Sequence, residues 1–230
     1  MTKAIVLCSG GLDSVVTAYY VKKKLKYEKI IFLFFDYGQR AAKMERKFSE
    51  YFARKLKARF VEVKLPLVEE TFGDLLNAKK ASKISREDLK NTKEESLKWY
   101  VPHRNLIFLS YAMSLAESLD LRGEGRHDIF VGFKNEGKES FPDTTIEFVS
   151  QINKLRDAAS EKKFEILAPL IMKDKEDIVL LGREMGVDLA KTWSCYVGDE
   201  KQCGECLACA LRKEGFRWAN VKDKTLYQMR

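Results

Sequence analysis

Histidine is almost missing from this chain: there are 2 in 230 residues, His103 and His127. That excludes a histidine-rich metal site and argues against a histidine-based nucleophilic triad. No apolar run approaches the ~20 residues a membrane-spanning helix needs. The run at 30–35 instead has the length of a buried strand. The N-terminus enters a strand after a single lysine, which is not a signal-peptide pattern, so the expected location is cytoplasmic. A basic tract is lacking too. The net charge is +8 and the pI about 9.1, but lysine and arginine are dispersed among acids, as on a solvated surface. Neither stable nucleic-acid binding nor a membrane partner is expected. Internal repeats and low-complexity linkers are absent, and 45% hydrophobic content suits a globular core with appendages.

The most informative stretch is Ser9-Gly10-Gly11-Leu12-Asp13-Ser14. It follows an apolar run, Ala4-Ile5-Val6-Leu7-Cys8, and precedes a helical pattern from Val15 to Leu25. Strand, glycine turn and helix N-terminus make a phosphate cradle. Adjacent glycines let N–H groups face an anion, Ser9 and Ser14 add hydroxyl donors, and the helix dipole adds positive charge. The spacing matches neither GxxxxGK[ST] nor GxGxxG.

Strand patterns at 3–8, 29–35, 59–64, 128–133 and 164–167 alternate with helical patterns at 14–24, 41–56, 104–119, 144–160 and 173–185. The fold class is therefore α/β: a doubly wound, mostly parallel five-stranded sheet with helices on both faces. Ligands in such folds gather beyond the carboxyl ends of the strands, where 8–14, 36–40 and 132–143 should meet. The expected boundaries are an α/β domain at 1–187 and a metal-binding module at 188–230. The stretch 66–101, charged and poor in apolar residues between 78 and 98, reads as a lid or an exposed insertion.

Four of the five cysteines, Cys195, Cys203, Cys206 and Cys209, have spacing C-x7-C-x2-C-x2-C. Two-residue gaps let successive thiolates reach one tetrahedral ion at about 2.3 Å, and four thiolates with no open position describe a structural zinc site. An iron–sulfur cluster also takes four cysteines and is the rival reading. Cys8, apart from the others, reads as a buried small side chain at a strand end. Asp36, at a strand end, could hold Mg²⁺, hold a ribose hydroxyl, or start a turn. Arg40 and Arg104 are able to bind phosphate, or could be surface arginines. Lys175, near a helix start where a cation is disfavoured, points to an anionic partner or to a local pair with Glu176 or Asp177. Tyr37, Phe133 and Phe141 could stack on a purine-like ring or belong to the core.

The loop Ser9–Ser14 resembles the PP-loop of the ATP pyrophosphatases, which split ATP between its α- and β-phosphates and adenylate a substrate. A PP-loop joined to a four-cysteine tail resembles the 7-cyano-7-deazaguanine (preQ0) synthase family of queuosine and archaeosine biosynthesis. The stretches that carry the likeness are Phe35-Asp36-Tyr37-Gly38-Gln39-Arg40, Val101 to Ser110, Phe141-Pro142-Asp143, Pro169-Leu170 with Lys175 and Ile178, Trp193-Ser194-Cys195-Tyr196, and Cys203 to Arg212. The usual D-x-S-G-Y-P-D-C-R is altered: Gly137 stands for the first Asp and Thr144-Thr145 for Cys-Arg.

The resemblance implies a carbon–nitrogen ligase. ATP with Mg²⁺ adenylates 7-carboxy-7-deazaguanine, ammonia gives the amide, and a second ATP drives loss of AMP to the nitrile. It implies catalytic roles for Asp13, Ser14, Lys175 and Arg104. Nucleotide contacts would come from Cys8, Ser9, Gly10, Gly11, Leu12, Asp13, Ser14, Asp36, Arg40 and Arg104. Substrate contacts would come from Tyr37, Phe133, Phe141, Pro142 and Asp143. Structural zinc would sit on Cys195, Cys203, Cys206 and Cys209. Partners would be small molecules, and a homodimer is an open reading. Related activities that use the same activation step are coupling to an amine on a protein and tRNA modification.

Overall fold

The computed structural model describes residues 2–65, 83–90, 92–134, 141–197 and 200–228. In chain order the main elements are β1 (Lys3–Leu7), α1 (Leu12–Lys23), β2 (Lys29–Asp36), α2 (Ala42–Lys55) and β3 (Arg59–Lys64). They continue with α3 (Lys93–Lys98), α4 (Arg104–Leu119), β4 (Asp128–Phe130), α5 (Ile146–Ala159), β5 (Ile166–Leu167), α6 (Lys175–Glu184) and α7 (Leu207–Trp218). The five strands form one sheet of order β3-β2-β1-β4-β5, and every pairing is parallel.

Strand parity divides the core in two. Ala4, Val6, Ile30, Phe32 and Phe130 face the layer that holds Val15 and Val16 of α1, Phe52 of α2, Ile178 of α6 and Phe216 of α7. Ile5, Ile31, Leu33, Phe35 and Ile129 face the other layer, with Leu109 and Ala112 of α4 and Ile152 of α5. Both faces are covered, so the strands read as continuous apolar runs rather than alternating ones. Ile5 of β1 is fully buried, and Ile5→Ala would cost about 2–5 kcal/mol.

The chain winds outward from β1 to β3 and then returns to the opposite side of β1 through β4. The topological switch point therefore lies between β1 and β4, at the carboxyl end where the glycine loop leaves β1.

The strand and helix expectations hold to within a few residues, with four differences. β4 stops at Phe130 rather than 133, because the chain leaves the ladder where Gly132 passes the backbone of Ser14; a Cβ on Gly132 would lie 2.8 Å from the Ser14 nitrogen. β5 begins at Ile166 rather than 164. Helix α7 is absent from the sequence pattern, since Cys206 caps it, Cys209 lies in its first turn and Gly215 lies within it. Within 66–101, residues 66–82 and 91 lie outside the described residues. The described part holds a short 3-10 turn and α3, and Trp99 is buried against Tyr196 with ring centroids 4.7 Å apart.

The cysteine segment packs directly on the α/β layer. Trp193 donates its backbone N–H to the Gly10 carbonyl at 2.8 Å, and its ring stacks on Phe48 of α2. Arg212 of α7 is buried and binds Asp223, Thr192, Ser194, Thr225 and the Leu189 carbonyl, which ties the last residues to the stretch before Cys195.

Candidate active site and four-cysteine centre

The loop after β1 keeps its shape through local bonds. Gly11 N–H donates to Ser9 Oγ at 3.3 Å, Ser14 Oγ donates to the Gly11 carbonyl at 3.2 Å, and the two serine hydroxyls lie 3.4 Å apart. Gly10 has φ +75°, and a Cβ there would sit 2.7 Å from the Glu45 carbonyl oxygen and 2.8 Å from the Ser49 nitrogen. Only glycine lets the loop lie this close to α2. The first-turn N–H groups of α1 have no intrahelical acceptor and carry the positive end of the helix dipole.

Above the loop lies a cavity of about 440 Å³. Its lining includes Cys8, Ser9, Gly11, Leu12, Asp13, Ser14, Tyr37, Arg104, Phe133, Phe141 and Lys175, all expected from the sequence. Gly10 packs beneath, buried. Cys8 is also buried, its thiol 3.7 Å from Ser14 Oγ, and burial pushes that thiol above its ordinary value. It is a neutral floor residue, not a nucleophile.

Lys175 reaches across the fold to an anionic partner on the loop. Its Nζ lies 2.8 and 2.7 Å from the two carboxylate oxygens of Asp13, a residue 162 positions away. Arg104 donates to the Tyr37 hydroxyl at 3.1 Å, and its guanidinium lies 5.7 Å from the ring centre. The residue before it, His103, holds a left-handed φ of 57°, a strained turn that starts α4 at the cavity.

Four expected residues lie elsewhere. Asp36 gives one oxygen to the Gly38 N–H and the other to Arg46 at 2.5 Å, so its carboxylate is closed by a turn and an ion pair. Arg40 is exposed and does not line the cavity. Pro142 is exposed as well, and Asp143 is buried with its carbonyl accepting from Asn105 at 3.3 Å. Residues 135–140, including Glu136 and Gly137, lie outside the described residues. Thr145 caps α5 by accepting the Phe148 N–H at 3.1 Å, which accounts for a threonine there.

Sequence reasoning missed several lining residues. Thr92, Ser96 and Trp99 come from the charged stretch read as a lid, and Ser194, Tyr196, Ala208 and Leu211 come from the cysteine segment. Glu45 and Gln39 were missed too: Gln39 Nε2 donates to Glu45 Oε2 at 2.8 Å and to the Phe35 carbonyl, while Gln39 Oε1 accepts the Tyr37 N–H. Burial pushes the Glu45 carboxyl above the usual carboxylate range. The position of Glu45 in the first turn of a helix that follows a strand end was the only available signal.

The sulfurs of Cys195, Cys203, Cys206 and Cys209 all lie within 4.8 Å of one another, and all four residues are buried. Two of the edges are 3.9 Å (Cys203–Cys209) and 4.0 Å (Cys195–Cys206). A tetrahedron with 2.3 Å metal–sulfur bonds has edges of about 3.8 Å, so the set fits one metal ion. Backbone N–H groups of Glu205 and Cys206 point at Cys203 sulfur at 3.4 and 3.3 Å, and that of Cys203 at Cys195 sulfur at 3.3 Å. Four thiolates this close repel one another unless a cation lies among them.

A glycine loop at the switch point of a doubly wound sheet, opening on a cavity with fixed cations, is the architecture of a nucleotide-using α/β enzyme. Comparison with known proteins narrows the class. The chain belongs to the family described as queuosine biosynthesis protein QueC, whose sequence profile matches residues 3–220. It is 39% identical over 228 residues to a 7-cyano-7-deazaguanine synthase of Nitratiruptor sp., covering 98% of this chain and 99% of that one. It is 40% identical over 237 residues to a 7-cyano-7-deazaguanine synthase of Methanocaldococcus jannaschii, covering 98% and 99%. Among solved structures, a 4-thiouridine synthetase–RNA complex with bound ATP superposes with TM-score 0.47 at 16% identity, over 94% of this chain and 53% of that chain. No described helix is long and apolar enough to cross a membrane.

Proposed function

We propose that this protein is an ATP-dependent carbon–nitrogen ligase that converts 7-carboxy-7-deazaguanine and ammonia to 7-cyano-7-deazaguanine. The observation that carries the reading is a glycine loop and a Lys175–Asp13 pair opening into one cavity, in a chain matched end to end by synthases of that name. The cavity volume of about 440 Å³ falls in the ~300–1,000 Å³ range of small-molecule sites.

The loop N–H groups, with Ser9 and Ser14, hold the β- and γ-phosphates that leave as pyrophosphate. Lys175 and Arg104 are fixed cations that offset charge as it develops on the phosphates. The substrate carboxylate attacks the α-phosphorus and becomes an acyl adenylate. Ammonia then displaces AMP to give the amide, and a second ATP activates the amide oxygen so that AMP departs to leave the nitrile. Tyr37, Phe133 and Phe141 offer ring faces to the deazaguanine. Asp143, buried next to Asn105, supports the substrate wall rather than lining the cavity itself. No covalent nucleophile is needed, which agrees with a neutral, buried Cys8.

Asp13, the loop carboxylate in the cavity lining, now paired with Lys175 through both oxygens, would hold Mg²⁺; Asp36 does not line the cavity and is held by Gly38 and Arg46. When bound, Mg²⁺ offsets phosphate charge. Zinc fits the closed set Cys195, Cys203, Cys206 and Cys209 as a structural ion.

Incubating the purified, metal-loaded protein with 7-carboxy-7-deazaguanine, ATP, Mg²⁺ and ammonium should give nitrile, AMP and pyrophosphate by mass spectrometry. ADP as the product, or no substrate-dependent pyrophosphate release, would sink the reading.

A further inference from the structure

Glu45 is a carboxylate in the cavity wall that neither the loop chemistry nor the phosphate contacts use. It sits in the first turn of α2, directly beside Gly10, whose missing Cβ leaves room for the Glu45 carbonyl at 2.7 Å. Its side chain is held from one side only: Oε2 accepts from Gln39 Nε2 at 2.8 Å. Gln39 in turn is locked by the Phe35 carbonyl and the Tyr37 N–H, each at 2.9 Å. Oε1 takes no part in that net. The charged and titratable groups that face Glu45 are Arg104 from α4, Asp36 at the end of β2, and Tyr37; Asp13, Lys175 and Lys134 also line the same cavity. A half-buried carboxylate fixed at one oxygen and open at the other, between a phosphate loop and aromatic walls, is built to accept a proton.

We propose that Glu45 takes the proton from the attacking nitrogen when ammonia displaces AMP from the acyl adenylate. This rests on the functional reading above. The step balances: a C–N bond forms, the C–O bond to AMP breaks with its electron pair leaving on the phosphate, and one N–H proton moves to Glu45 Oε1. Ammonia becomes the amide –NH₂ and the carboxylate becomes a carboxyl group. In the adduct the attacking nitrogen carries three protons and a positive charge; losing one frees its lone pair to help expel AMP and leaves the neutral amide. Burial raises the carboxyl above its ordinary value, which makes it a better base than an exposed glutamate.

The test separates the half-reactions in the metal-loaded enzyme. Substrate-dependent exchange between ATP and pyrophosphate, with no amine present, reads adenylation. Amide formation with ammonium, and hydroxamate formation with hydroxylamine, read the transfer. Hydroxylamine is far less basic, so its nitrogen loses a proton to water unaided. In Glu45→Gln, exchange is expected to stay near the wild-type rate, amide formation to fall about 10²-fold or more, and hydroxamate formation to fall much less. Equal losses with both amines, loss of exchange, or an unchanged amide rate would overturn the proposal. Absence of exchange in the wild-type enzyme would instead overturn the functional reading itself.

Discussion

The Lys175–Asp13 pair shows how one side chain can hold another ready for a ligand. Both residues are partly exposed, with side chains 17% and 27% accessible, so as a structural ion pair it contributes little, about 0–1 kcal/mol. Its proposed value is positional: it holds an ammonium and a carboxylate next to the glycine loop. Lys175→Met is therefore expected to lower kcat/KM about 10²–10³-fold while leaving the melting temperature nearly unchanged, checked by pyrophosphate release and thermal unfolding in parallel. Asp36 teaches the converse. A carboxylate at a strand end next to the loop looks fit to hold Mg²⁺ or a ribose hydroxyl, but Arg46 bridges it to Glu62 and it does not line the cavity.

Elements place these residues by close approach rather than by propensity. Gly215 lies inside α7, where glycine costs about 1 kcal/mol relative to alanine. Its reason is α6: a Cβ at 215 would stand 2.2 Å from Lys175 Cγ and 2.9 Å from Cβ. Gly215→Ala should thus lose activity, and lose stability too, even though the substitution favours an isolated helix. Steady-state kinetics with a thermal melt checks this, and a more stable, fully active variant would refute it. Helix α3 and the short turn before it act similarly, carrying Thr92, Ser96 and Trp99 to the cavity while Ile84 donates its N–H to the Glu205 carbonyl beside the cysteines.

At the scale of the whole molecule the cysteine centre and the cavity are one structure. The segment that bears Cys195 also supplies Ser194 and Tyr196 to the cavity, and α7, capped by Cys206, supplies Leu207, Ala208 and Leu211. Trp193 ties the segment to the loop through the Gly10 carbonyl. Removing the proposed zinc with a chelator should therefore lower the melting temperature and reduce ATP affinity together, measured by calorimetry on the same sample. Retained nucleotide binding after full metal loss would separate the two.

The order of strands and helices, the glycine loop and the cysteine set were legible in the chain, because each is written in local spacing: apolar runs of strand length, Gly-Gly before a helix, and two-residue gaps between thiols. Long-range partners were not. That Lys175 meets Asp13, that Arg46 takes Asp36, that Glu45 faces the cavity and that Gly215 makes room for Lys175 each depend on elements far apart in sequence and close in space. The sequence alone determined which chemistry-bearing residues exist and on which elements they ride. Only the tertiary structure decided which of them meet, because the switch point and the packing of α1, α2, α6 and α7 on one face of the sheet are set by burial of two apolar faces, a property of the whole sheet and of no single segment.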